Sequence, residues 1–125
     1  MHAYILQDWT TIRGSSAVLT MTQEEPGWLD LSPYQDVVFW LDVKEALNSP
    51  TITFQTSPSK DDYLFAAVAA GQVMPAAGAT APVVVSALMY TASVPLARYL
   101  RWQITSSGAW DATFRVLVAA NSPGI

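Results

Sequence analysis

Side chains that could carry out catalysis are few in this chain of 125 residues. It contains no cysteine and a single histidine, His2, which stands at an end of the chain that usually frays. Thiolate chemistry and zinc sites built from histidine and cysteine are therefore excluded by count. The sequence also contains no glycine-rich phosphate loop and no GxSxG nucleophile elbow. We expect no catalytic residue and no cofactor, so the protein is predicted not to be an enzyme.

Carboxylates are the remaining candidates, and the one pair of adjacent aspartates is Asp61 and Asp62, in QTSPSKDDYLF at residues 55–65. On an extended backbone two neighbouring side chains point apart. The run Ser-Pro-Ser-Lys-Asp-Asp is typical of a turn between two strands. We interpret the pair as the tip of a loop and predict no metal site, with a calcium site completed by backbone carbonyl groups as the alternative. Asp36 and Asp42, on one face of a strand, would lie about 20 Å apart, too far for a paired acid and base.

Five tryptophans are many for this length, and an exposed one beside polar groups can stack on a sugar. Trp102 and Trp110 fall in phase with the apolar positions of their segments and are predicted to be core residues. Trp40 is out of phase with Phe39 and Leu41 and is predicted to lie on an outer face. A loop covers it, it packs at a subunit interface, or it binds a ligand; we favour these in that order. Trp40 is therefore a candidate contact residue, and Trp9 is a second candidate for stacking on a sugar.

Arg101 and Arg115 are also predicted to face outward, because both alternate with apolar residues. If their strands pair, the two guanidinium groups come close together with Asp111 beside them. Both are candidate interface or ligand contacts, and a solvated charge cluster is the simpler interpretation.

The elements that position these residues have a period of two. Apolar and other residues alternate in DVVFWLDV (36–43), RYLRWQIT (98–105) and WDATFRVLV (110–118). Further strands are predicted at residues 4–12, 17–22, 51–56, 63–69 and 83–90, and residues 43–48 invite a helical turn. The pattern predicts a single all-β domain over residues 1–125, an antiparallel β-sandwich or jelly roll of about eight strands.

The distribution of charge points to association. Charged residues make up 13% of the chain, against roughly 25% in ordinary soluble domains. No charged side chain stands between Asp62 and Arg98, so we expect another subunit to cover part of this surface. The net charge of −4 argues against nucleic acid as a partner. No run of about 18 apolar residues exists, so no membrane-spanning helix is expected, and the first residues lack the features of a signal peptide.

The segment AAGQVMPAAGATAP, residues 69–82, is rich in alanine, glycine and proline and is long for a connection within a compact sandwich. It is either a flexible surface loop or an arm that becomes ordered against a partner. Its lack of charge favours the arm.

Three stretches carry a resemblance to a known group of proteins. They are VPLARYLRWQITSSGAWDATFRVLVAAN, GWLDLSPYQDVVFWLDV and ITFQTSPSKDDYLF, at residues 94–121, 27–43 and 52–65. Together they resemble small β-sandwich structural and decoration proteins of tailed bacteriophages, whose closing hairpin has an a-R-Y-[VL]-R strand. They are more distantly similar to galactose-binding, discoidin-like jelly rolls. There, an Asp-Gly takes the place of Asp61-Asp62, and no sugar-contacting residue can be matched, so ligand binding is not carried over.

The resemblance implies a component of the virion that binds other virion proteins and copies of itself. We therefore expect a non-enzymatic structural subunit of a phage particle, a capsid decoration protein or another head or tail subunit. The neutral residues 63–97 are the expected contact surface. The alternative is a carbohydrate-binding module of the galactose-binding jelly-roll type, with Trp40 and Trp9 as platforms. An enzyme that uses carboxylates is the third hypothesis.

Overall fold

The structure, a computed structural model, describes residues 2–15, 19–30, 36–74, 83–87 and 97–121. Within these ranges the chain forms ten strands and two single-turn 3-10 helices, Glu25–Gly27 and Asp62–Leu64. The strands are β1 (His2–Gly14), β2 (Thr20–Thr22), β3 (Leu29–Asp30), β4 (Asp36–Leu47), β5 (Thr51–Ser57), β6 (Ala66–Ala67), β7 (Gln72–Val73), β8 (Val83–Ala87), β9 (Tyr99–Thr105) and β10 (Trp110–Asn121). None of the described residues belongs to a helix long and apolar enough to cross a membrane.

The strands form two antiparallel sheets that pack face to face. The four-stranded sheet has the order β1-β10-β4-β8, and the six-stranded sheet has the order β2-β9-β5-β6, with β3 paired to β9 and β7 to β5. Phe39 of β4 stacks on Phe54 of β5 across the interior, with ring centroids 4.1 Å apart. Trp102 of β9 meets Phe114 of β10 edge to face at 5.5 Å. The predicted antiparallel β-sandwich is therefore confirmed.

The interior is built from the alternating positions of the long strands. The buried side chains of β4, β9 and β10 include Val37, Phe39, Leu41, Val43, Leu100, Trp102, Ile104, Trp110, Phe114, Val116 and Val118. These are the residues that the period-two pattern predicts to point inward, Trp102 and Trp110 among them. Burying each large apolar side chain of this kind stabilises the fold by about 1.5–3 kcal/mol. The same alternation sends the intervening residues of β4 and β10 to the outer face of the four-stranded sheet.

Two predicted elements differ from the structure. Residues 63–69, predicted to be one strand, contain the end of a 3-10 turn and the two-residue strand β6, and Tyr63 is strongly exposed. Short pieces such as β6 raise the strand count to ten, compared with the predicted eight or so. Only Ala66 and Ala67 of this segment pair with β5. The apolar composition of residues 63–69 suggests a strand but does not show how far the pairing extends.

Residues 43–48, predicted to form a helical turn, instead continue β4 as far as Leu47. Pairing of Ala46 and Leu47 with β10 outweighs the weak helical preference of the segment. The chain turns at Asn48 and Ser49, which have positive φ angles of 61° and 44°. Asparagine tolerates this left-handed region better than most residues.

The alanine-, glycine- and proline-rich segment 69–82 is only partly a loop or an arm. Its first residues belong to the sandwich, because β7 pairs with β5 and Met74 is fully buried. The amide of Met74 donates to the carbonyl of Pro50 at 2.9 Å. Residues 75–82 lie outside the described ranges, and with them the rest of the segment for which a partner-ordered arm was predicted.

Candidate functional site

An apolar row crosses the outer face of the four-stranded sheet. In the strand register, Ile5 of β1 lies opposite Leu117 of β10, Leu117 lies opposite Trp40 of β4, and Trp40 lies opposite Val84 of β8. Ile5 is 57% exposed and Val84 is 52% exposed, whereas Trp40 and Leu117 are half-buried between them. Directly opposed side chains on one face of a sheet are in contact distance of one another. The four residues, which we call the apolar row, form one continuous strip.

The sheet surface differs on the two sides of the apolar row. Two residues along each strand, on one side of the row, the same face carries small side chains: Ala3 in β1, Ala119 in β10 and Val38 in β4. Moving in the other direction brings large ones, Arg115 in β10 and Asp42 in β4, with Trp9 of β1 beside Arg115. The outer face is therefore asymmetric. Side chains are small on one side of the apolar row and large on the other.

Two arginines on this face lie beside aspartates of neighbouring strands. Arg115 donates from Nε to Oδ2 of Asp42 at 3.1 Å, and its guanidinium lies 5.0 Å from the ring of Trp9. Farther along the strands, Arg13 lies opposite Asp111 in the register. Thr11 and Thr113 share a 2.8 Å hydrogen bond between their hydroxyl groups. Each of these two arginines therefore lies opposite an aspartate of the same molecule.

Two of the three predicted contact residues, Trp40 and Arg115, lie on this face, and the third does not. Arg101 belongs to β9, which is in the other sheet. The condition under which Arg101 and Arg115 would come together near Asp111, pairing of their two strands, is therefore not met. β9 and β10, although consecutive in the chain, belong to different sheets and so do not form a closing hairpin with each other. Sequence proximity cannot distinguish a hairpin from a crossover between sheets.

Arg101 is enclosed rather than solvated, although it stands on the outer side of its strand. Its side chain is 3% exposed, lying 3.8 Å from the ring centroid of Phe65 and 5.3 Å from that of Trp28. Its Nε donates to Oε1 of Gln55 at 2.9 Å, and its NH1 donates to Asp62. Trp28 and Phe65 meet edge to face at 4.8 Å. Arg101 thus fastens two surface segments to the six-stranded sheet and is not free to hold a ligand.

Replacing Arg101 by alanine is expected to lower the free energy of unfolding by about 2 kcal/mol, because its aliphatic stem and its stacked guanidinium are both lost. Asp62→Asn is expected to cost no more than about 0.5 kcal/mol, since an exposed partner contributes little to an ion pair; the Asp62 side chain is 83% exposed. Urea unfolding followed by tryptophan fluorescence measures both. Equal losses for the two variants would show that charge pairing, not packing, fixes Arg101.

The aspartate pair lies in a loop, as predicted. Asp61 precedes the 3-10 turn Asp62–Leu64, and the hydroxyl of Ser59 donates to Oδ2 of Asp61 at 2.9 Å. Asp62 accepts a hydrogen bond from Arg101, and the sequence did not predict this pairing. Among the residues that the structure describes, no three histidine, aspartate or glutamate side chains gather as a metal ion would require.

Two further carboxylates, Asp30 and Asp42, lie on different sheets. Asp42 binds Arg115 on the four-stranded sheet, and Asp30 of β3 accepts from Arg98 at 3.1 and 3.2 Å on the six-stranded sheet. The hydrogen bond and the charge of Asp30 raise the pKa of the Arg98 guanidinium above its ordinary value. Asp30 and Asp42 each accept hydrogen bonds from an arginine of a neighbouring segment, which stabilises the contact between the two segments.

A cleft of about 500 Å³ opens where β1 and β2 part, at one edge of the sandwich. Its lining includes Ile12, Met21 and Trp102, with Gln7 and Gln23 as polar members. The amide of Gln23 bridges the two sheets, donating to the carbonyl of Leu6 at 2.7 Å. Gln7 accepts a hydrogen bond from the indole of Trp102 at 3.2 Å, so Gln7 and Gln23 both join β1 to the six-stranded sheet along this seam between β1 and β2.

Ile5, Leu117 and Val84 were not identified from the sequence as contact residues, although Trp40 was. The signal available was the same for all: each is an apolar residue out of phase with the buried positions of its strand. What the sequence lacked was the register, which places the four in one row. The two tryptophans proposed as sugar platforms, Trp9 and Trp40, also lie on this face.

Comparison with known proteins finds a similar fold and no family. No family model matches the chain, and no curated protein matches it. Among solved structures, the chain is similar to a protein chain in the structure of infectious bursal disease virus, Gx strain, with a TM-score of 0.50 and 13% sequence identity. The similarity covers 98% of this chain and 33% of that chain, so this chain spans about a third of the neighbour's length. At this identity the likeness establishes the β-sandwich fold alone.

Proposed function

We propose that the chain is a non-enzymatic structural component of a virion, a decoration protein or another head or tail subunit of a tailed bacteriophage particle. It acts by adhesion to other virion proteins and to copies of itself. The observation that carries the proposal is the outer face of the four-stranded sheet, where Ile5, Leu117, Trp40 and Val84 form a continuous apolar row. An exposed apolar strip on a sheet is typical of a protein interface.

Three further observations support the proposal. The face contains strands of very different sequence position, so its apolar character does not arise from one local segment. Its arginine nearest the apolar row, Arg115, is paired with Asp42, as expected of a surface that is desolvated on binding. The β-sandwich similar to this one occurs in the structure of a virus, and the sequence resembles phage structural proteins.

The proposed contact surface differs from residues 63–97, the surface expected from the sequence. Residues 63–97 contribute Val84 to the face, but Val68, Met74 and Val85 of the same stretch are buried in the core. Residues 75–82 and 88–96 lie outside the described ranges. We therefore place the adhesive surface on β1, β10, β4 and β8, of which only β8 belongs to the neutral stretch.

The proposal predicts that the chain is found in purified virus particles. Mass spectrometry of gradient-purified particles is expected to detect it in a fixed ratio to the major capsid protein. The ratio should survive a high-salt wash, because an apolar interface is not weakened by charge screening. An abundant non-structural protein of the same infected cells serves as the control and should be lost during purification.

Absence of the chain from particles, together with its presence in the soluble fraction of infected cells, would overturn the proposal. In that event a glycan array tests the carbohydrate-binding alternative with the same purified protein. A reproducible sugar signal that disappears in Trp9→Ala, the more exposed of the two tryptophans on this face, would replace the virion role by a carbohydrate-binding one.

A further inference from the structure

We propose that the outer face of the four-stranded sheet binds a second copy of the same chain, with a two-fold axis lying along the apolar row. Each molecule would place Ile5, Leu117, Trp40 and Val84 against the same residues of its partner. This inference rests on the adhesive role proposed above and specifies the partner, the surface and the symmetry. The choice of a second copy follows from three properties of the face: its shape, its charge and its size.

The shape of the face is complementary to itself under that rotation. Rotation by 180° about the apolar row keeps each position along the row and exchanges its two sides. The small side of one molecule, with Ala3 and Ala119, then lies over the large side of the other, with Trp9 and Arg115. An isologous contact requires that one patch fit itself. The difference in side-chain size across the row provides this fit.

The charge of the face also favours an identical partner. Arg115 is bonded to Asp42, and Arg13 lies opposite Asp111, within one molecule. A partner of strong opposite charge would gain little from the bonded Arg115–Asp42 pair, and the rotation places this pair over Ala119 and Val38 of a second copy, which carry no charge. Apolar contact is left as the main attraction, which a second copy supplies through its own apolar row.

The face is large enough for a stable dimer. Strands β1, β10 and β4 have 13, 12 and 12 residues. At about 3.3 Å per residue and about 4.8 Å between strands, these three and the shorter β8 cover a flat area of roughly 600 Å². A standard interface uses about 800 Å² of accessible surface on each partner, and side-chain relief makes the accessible area larger than the flat one. Two such sheets would pack about 10 Å apart, as the sheets of a sandwich do.

The first test places a charge on the axis. Ile5→Lys puts two ammonium groups opposite each other in the dimer, whereas Ile5 itself is 57% exposed in the single molecule, so folding should be retained. The dimer dissociation constant is expected to rise about 100-fold or more. Val73→Lys is the matched control, because Val73 is a strand residue of the six-stranded sheet with 61% exposure; it should leave the dimer unchanged. Size-exclusion chromatography with light scattering and analytical ultracentrifugation measure the change.

Val84→Lys provides a second variant at the opposite edge of the row, and circular dichroism verifies that each variant is folded. A folded Val84→Lys protein should also be monomeric. The proposal is overturned if the unmodified protein is a monomer at micromolar concentration, or if folded lysine variants of the row remain dimeric.

The second test reads the symmetry. The chain has no cysteine, so a single introduced thiol is unique. Leu117→Cys lies on the axis and should be joined to its counterpart by a bis-maleimide linker shorter than about 10 Å, the distance between packed sheets. Val73→Cys should not be joined under the same conditions. Efficient linkage through Val73→Cys, with none through Leu117→Cys, would assign the dimer to the other sheet and overturn the proposal.

The test of the dimer and the test of the virion role can fail independently. A chain that is found in particles but is monomeric in solution retains the proposed function and loses the proposed dimer. A chain that forms the dimer but is absent from particles retains the dimer and loses the virion role.

Discussion

Gln23→Met is expected to lower the free energy of unfolding by about 3 kcal/mol, because three backbone groups lose a partner inside the protein. Gln23 is 5% exposed and lies between the two sheets. Its Nε2 donates to the carbonyls of Leu6 at 2.7 Å and Gly27 at 2.9 Å, and its Oε1 accepts from the amide of Trp102 at 3.3 Å. Methionine matches the length of glutamine but can replace none of these bonds. Each unsatisfied buried group costs about 1–3 kcal/mol.

The control is Gln103→Met, a glutamine on the outer side of β9. Its side chain bonds to Gln55 at 3.2 Å and to Thr22 at 3.0 Å, in a half-buried setting where water can replace the lost partners. A loss below about 1 kcal/mol is expected there. Urea unfolding at equilibrium, followed by tryptophan fluorescence, gives both values. A loss for Gln23→Met as small as that for Gln103→Met would show that the seam between β1 and β2 is not held by this amide.

The core could be predicted from the sequence because the alternation of apolar residues along each long strand identifies the buried positions. In β4 and β10 the buried positions, such as Phe39 and Phe114, recur at every second residue. Both strands have neighbours on both sides and one face against the other sheet, and in β4 the alternation runs from Asp36 to Val43, where a bulge interrupts it. Strands with this alternation bury one face, so the pattern predicts an all-β fold with half-buried sheets before any pairing is known.

The pairing of strands could not be predicted in the same way. The apolar row depends on the register that sets Ile5 opposite Leu117 and Trp40 opposite Val84, in strands far apart in sequence. Alternation along a strand determines which face a residue occupies and not which residue lies beside it. The candidate site was therefore found through one of its members, Trp40, and its extent needed the structure.

Arg101 illustrates a second limit. Its position in β9 correctly predicts the outer side of the strand, but the 3% exposure of its side chain comes from Trp28 and Phe65. These residues belong to surface segments that fold over the sheet. An arginine in an alternating strand is usually solvated, and burial requires partners for its donors. Here Gln55 and Asp62 are those partners, and nothing in the spacing of the sequence connects them to Arg101.

Gly14→Ala is the second substitution from which we expect a large loss, about 3 kcal/mol of unfolding free energy, through overpacking. Gly14 ends β1 and lies opposite Trp110, the first residue of β10. A methyl group at Gly14 would overlap the indole ring of Trp110. That ring is almost completely buried in the core, so it cannot move aside without disturbing its neighbours.

Gly108→Ala is the matched control, because a methyl group at Gly108, between β9 and β10, meets no atom within 4 Å. It is expected to change the free energy of unfolding by less than about 1 kcal/mol, with a gain possible from the lower entropy of the unfolded chain. Thermal and urea unfolding measure both variants, and near-ultraviolet circular dichroism reports the environment of Trp110. If Gly14→Ala were as stable as Gly108→Ala with an unchanged near-ultraviolet spectrum, close contact between the end of β1 and Trp110 would be disproved. Because β1 supplies Ile5 and Trp9 to the outer face, a displaced β1 should also weaken the proposed dimer.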